Sequence, residues 1–99
     1  MNHFIITYRI KRDEMYQARY DSFIRKVKEA GGQTFWNETS SFYAIQSDKS
    51  AATLCKQLCA ETGFDCTKDS VVVINTTCKA MASSGAIQNK ELLAKCIGF

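Results

Sequence analysis

Nonpolar side chains recur along this chain in two rhythms, one of period two and one of three to four. Residues 3–10 alternate, with Phe4, Ile6, Tyr8 and Ile10 on one face and Ile5 and Thr7 on the other, as a strand requires. Because both faces carry apolar groups, this strand is expected inside a sheet. After the charged residues Lys11, Arg12, Asp13 and Glu14 the spacing changes. Tyr16, Tyr20, Phe23, Val27 and Ala30 fall at alternating steps of four and three, which is one face of a helix. Asp13 is the expected N-cap of that helix, and Gly31-Gly32 its stop, because glycine takes left-handed backbone without steric cost.

Residues 33–36 and 42–46 read as two short strands around the turn-forming cluster Asn37-Glu38-Thr39-Ser40. A second helix, capped by Ser47 or Asp48, is expected to bury Ala51, Leu54, Cys55, Leu58 and Cys59 and to end before Gly63. Residues 70–75 hold three consecutive valines and an isoleucine, which favour a strand in the sheet's middle. The order strand, helix, strand, strand, helix, strand is the split βαβ pattern. It predicts an α+β, ferredoxin-like βαββαβ fold with two helices on one face of a four-stranded antiparallel sheet. Residues 76–85 are small and polar with a Ser83-Ser84-Gly85 breaker, and residues 89–97 read as an extra C-terminal short helix with Leu92, Leu93 and Cys96 on one side. The chain is therefore expected to be one domain, residues 1–99, with a core over about 3–75 and an extension over 76–99. That tail would either cap the open sheet face or cross to a partner subunit.

Composition narrows this picture. At 99 residues with 45% hydrophobic, 23% charged and 11% aromatic content, the chain lies in the ordinary globular range. Its longest apolar run, residues 71–74, is far below the roughly 20 residues of a membrane span, and no signal-peptide pattern opens the chain, so a cytoplasmic protein with no membrane association is expected. Five cysteines form no Cys-x-x-Cys pair, which fits a reducing compartment and a fold needing no disulfide, metal or cofactor. A net charge of +3 permits a nucleic-acid partner without requiring one.

Candidate chemistry gathers near the end of the first strand. Arg9, Lys11 and Arg12, joined in space by Arg19, Arg25 or Lys26, would make a phosphate-binding patch, since guanidinium groups bind phosphate in bidentate fashion; the alternative is a solvated polar face. Tyr8, Phe35 and Trp36 are either base-stacking groups or core. Cys55 and Cys59, one helical turn apart, are better read as small apolar groups on a buried face than as metal ligands. His3 is the sole histidine and stands near the chain end, so no Ser-His-Asp arrangement can be assembled. The loops that mark copper chaperones and acylphosphatases, and the aromatic strand motifs of RNA-recognition domains, are missing.

Several segments together are similar to the small CRISPR-adaptation nuclease family, whose relatives include VapD-type toxins and the GhoS antitoxin ribonuclease. Phe4-Ile5-Ile6-Thr7-Tyr8 resembles that family's first strand, Val27-Lys28-Glu29-Ala30-Gly31-Gly32 the end of its first helix, Ser41-Phe42-Tyr43-Ala44-Ile45 its third strand, and Asp69-Ser70-Val71-Val72-Val73-Ile74 its fourth. The resemblance implies a homodimer apposed through its sheets and a connection to RNA or DNA. The family holds a divalent metal between subunits with an aspartate at the end of the first strand, and here that position is Arg9, which cannot ligate a cation. The resemblance and this departure from it together imply a homodimeric, nucleic-acid-associated protein without metal-dependent nuclease activity, using Tyr8, Arg9, Lys11, Arg12 and Arg25 for binding. The alternative is a protein-binding adaptor or inhibitor that has kept the scaffold without chemistry.

Overall fold

In the computed structural model, which describes residues 1–99, the first alternating segment forms strand β1 (Asn2–Arg9), and its two faces differ sharply in burial. Phe4, Ile6 and Tyr8 are buried, whereas His3, Thr7 and Arg9 are exposed and Ile5 is half-buried. Helix α1 (Tyr16–Gly31), strands β2 (Phe35–Trp36) and β3 (Phe42–Ser47), helix α2 (Ala51–Ala60) and strand β4 (Ser70–Asn75) come next, in the expected order. Strand β5 (Ala80–Gly85) and helix α3 (Lys90–Ile97) complete the chain. The sheet order is β2-β3-β1-β4-β5, and every neighbouring pair is antiparallel. Strands β1 and β4 thus occupy the interior positions that their apolar content called for.

The sheet has five strands rather than the expected four. Residues 80–85, Ala-Met-Ala-Ser-Ser-Gly, have low intrinsic strand preference, but they pair with the whole of β4, from Ser70↔Gly85 to Asn75↔Ala80. The turn is set by Asn75, whose Oδ1 accepts the Thr77 and Cys78 N–H groups at 3.0 and 3.2 Å, and by Lys79 in left-handed backbone at φ 56°. Two caps also differ from expectation. Ser50, not Ser47 or Asp48, caps α2 by accepting the Thr53 N–H at 3.1 Å. Met15 occupies the N-cap of α1 with no side-chain bond, and Asp13 stands before it, accepting the Met15 N–H at 3.0 Å.

Both α1 and α2 pack on one sheet face. Phe23 and Val27 of α1 and Leu54 and Leu58 of α2 close a single core over Phe4, Ile6, Tyr43, Ile45, Val71 and Val73. At Gly31 a Cβ would lie 2.9 Å from Ile45 Cγ2, so the close approach of α1 to β3 needs glycine there. The opposite face is uncovered over most of its area. Ile5, Phe42, Ala44, Val72, Ile74 and Met81 are only half-buried on it, and Trp36 is exposed. Helix α3 buries no residue and reaches this face at one end only, where Leu93 lines a cavity with Arg9, Ser70 and Val72. No helix is long and apolar enough to cross a membrane.

Candidate nucleic-acid interface

An ion-pair clamp shapes the end of the sheet where Arg9 lies. Asp69, with no exposed surface, accepts hydrogen bonds from the Lys11 and Asp65 backbone N–H groups, both at 2.9 Å, and a bidentate pair from Arg19 Nε and Nη2, both at 3.2 Å. The same guanidinium donates to the Lys11 carbonyl at 2.8 Å and to Asp13 at 2.7 Å, and Asp13 also receives Lys68 Nζ at 3.0 Å. One arginine of α1 therefore ties the loop after β1 to the loop before β4. The Arg19 hydrogen bond, aided by Lys68, holds the Asp13 carboxyl well below the usual carboxylate range, and Asp69 with Asp13 raises the Arg19 pKa further. Arg19 is thus not part of a surface phosphate patch. It lies four residues before Phe23 on the buried stripe and is 8% exposed.

The clamp leaves other cations free. Arg9, Lys11, Arg12 and Lys68 line one cleft of about 510 Å³ together with Ile10, Thr67 and Ala86, and no carboxylate lines it. Arg9, Lys11 and Arg12 form no salt bridge; Arg12 sets its guanidinium 4.9 Å above the Tyr16 ring. Only Lys68 is shared with an acid. Arg9 also opens onto a second cavity of about 370 Å³ with Ser70, Val72 and Leu93, again without a lining carboxylate. Lys68 was missed by sequence reasoning, although antiparallel pairing of the first and fourth strands brings the residues before Ser70 beside the end of β1.

The remaining candidate residues fall elsewhere. Tyr8 is buried under α1, with its ring 5.1 Å from Phe23, and burial with neighbouring Tyr20 pushes its phenol pKa up; it belongs to the core and presents no stacking surface. Arg25 is exposed on α1 and lines neither cavity at Arg9. Phe35 packs on Tyr43 at 5.9 Å, while Trp36 meets Phe42 edge-on at 5.8 Å on the open sheet face.

A divalent metal of the kind the family resemblance implies does not fit these residues. Arg9 stands at its key position, and Asp13 and Asp69 are held by Arg19. Asp65 accepts the Thr67 N–H and hydroxyl at 2.9 and 2.7 Å. A hard cation would have to displace these partners and sit beside four cationic side chains. Between α2 and β5, Cys55, Cys59 and Cys66 line an apolar groove of about 500 Å³ with Phe64 and Ala82. All five cysteines are free, and the Cys55 S–H, with the Ser84 side chain, lowers the Cys59 pKa.

Protein-family models, curated proteins and solved structures were each compared with this chain, and no match was found among them.

Proposed function

We propose that this protein binds RNA at the Arg9 cleft without cutting it by a metal-dependent route, on a ferredoxin-like frame to which β5 is an addition. The order β2-β3-β1-β4 and the seating of α1 and α2 on one face support that frame. The observation behind the function is the convergence of Arg9, Lys11, Arg12 and Lys68 on a cleft free of acids. A planar guanidinium grips a phosphodiester through two parallel N–H donors, and the lysines add charge without fixed geometry. Cleavage would need a base as well as a cation. The nearby carboxylates are bound by N–H, hydroxyl or charged donors, and His3 lies at the other end of β1, roughly 20 Å away at the usual strand rise.

Titration of a fluorescently labelled single-stranded RNA at low salt, followed by anisotropy, tests the reading. Binding is expected, and Arg9→Ala is expected to weaken it about tenfold, as for loss of a charge-assisted bidentate contact. Absence of binding, or binding indifferent to Arg9→Ala, overturns it. A second reading, a protein-binding adaptor that pairs with its own copy or another chain, is favoured by the half-buried apolar groups on the open sheet face. It would show as a dimer in light scattering with no affinity for RNA.

A further inference from the structure

The open sheet face adjoins the cleft, and its composition restricts what can cover it. Along β1 it presents His3, Ile5, Thr7 and Arg9, and the residues paired with these on β3, β4 and β5 are apolar, amide, hydroxyl or glycine. Not one of them is an acid. Apposing a second copy through this face would bury Arg9 with no carboxylate opposite it, a costly arrangement for a guanidinium. A polyanion that also carries flat apolar surface meets both demands of the face.

Resting on the RNA-binding reading, we infer that the face is a platform for single-stranded RNA, whose bases stack on Trp36 and Phe42 while its phosphates run to Arg9 and the adjoining cleft. Trp36 pairs with Ala44, which pairs with Ile5, so the indole lies on the same face as Arg9. Trp36 is 44% exposed, and its ring is braced edge-on by Phe42. Phe42 pairs with Thr7, two residues from Arg9, and so lies between the indole and the cation. From strand spacing and rise, Trp36 and Arg9 are roughly 16 Å apart, a span of a few nucleotides. Stacking is open to an unpaired base and closed to one inside a duplex, so the site selects single strands whatever their sequence. The three cations without salt bridges set a modest salt dependence, a slope of about −2 in log affinity against log salt for a single strand.

Trp36 is the only tryptophan, so intrinsic emission reports on this position alone. Titration with an oligouridine of about ten nucleotides is expected to quench that emission with the same midpoint as the anisotropy change of the labelled strand. Trp36→Ala is expected to lose about tenfold in affinity with the salt slope unchanged, Trp36→Phe to recover part of it, and an RNA duplex of equal length to quench nothing. Binding of oligouridine with unaltered Trp36 emission and undiminished affinity in Trp36→Ala overturns the platform while leaving the basic cleft as the site. Emission that shifts on dilution of the protein and ignores the oligonucleotide overturns it in favour of a second copy on this face. No binding of any RNA overturns the underlying reading as well.

Discussion

Asp69 shows how much one residue can organise. It closes the gap between two loops with four hydrogen bonds and shares a buried guanidinium with Asp13, so its loss breaks a bidentate charge-assisted pair and leaves Asp13 as the one carboxylate on Arg19. Asp69→Asn is expected to cost about 2 kcal/mol, read as a lower urea midpoint at unchanged slope. A midpoint within error of the wild type would show that the clamp does not stabilise the fold. Asp13 gives the clamp a pH dependence. Its folded pKa is depressed, chiefly by the Arg19 hydrogen bond, so its contribution is present above the ordinary carboxylate value of about 4 and is lost as pH falls through the lower folded value. Asp65, lowered by its Thr67 hydrogen bonds, adds to the same acid slope. Chemical denaturation at a series of pH values should therefore show stability falling below about pH 4, and less steeply in Asp13→Asn. Equal slopes in the two proteins would contradict this. The clamp was not legible in sequence, where Arg19 reads as a candidate for the phosphate-binding patch and Asp13 as a helix cap. The spacing from Arg19 to Phe23 and Val27 was the available signal, and it was masked because apolar stripes are sought by hydrophobicity alone.

At the scale of elements, the strands and helices with strong periodicity were readable and the weak ones were not. Valines at 71–73 and alternation in β1 dictated interior strands, and the stripe of α2 was read correctly from Ala51 to Leu58. Strand β5 escaped because tertiary pairing rather than side-chain preference makes it. Ala82 and Ser84, paired with Val73 and Val71, face α2 and line the apolar groove beside Cys55 and Cys59. Gly85, which reads as a breaker, is required where β5 meets the clamp. It has φ 93°, and a Cβ there would lie 2.0 Å from the Asp69 carbonyl oxygen and 2.8 Å from Phe64 Cζ. Gly85→Ala is expected to destabilise the protein by about 2 kcal/mol or more, visible as a lower Tm. A Tm equal to that of the wild type would contradict the β4–β5 register.

Across the whole molecule, one sheet divides two environments. The helix-covered face supplies stability through a continuous apolar core, and the open face carries aromatic groups and a cation with no acid among them. The first half of that division was evident from the order of elements. Recognition of the second depended on pairing register, because only the register places Trp36 and Phe42 on the side of Arg9, the face that alternation along β1 already sets opposite Tyr8. Arg9, Lys11 and Arg12 were picked out from sequence as a group because they are neighbours along the chain. Arg25 did not join them, since it points from the helix layer. The most direct measurement is the affinity of wild-type protein for single-stranded RNA across a range of salt, beside a variant with Arg9, Lys11 and Arg12 all changed to Ala. Binding that weakens with salt at a slope of about −2, and is abolished in the variant, is the expected result. Affinity independent of salt, or retained in the variant, would contradict the account.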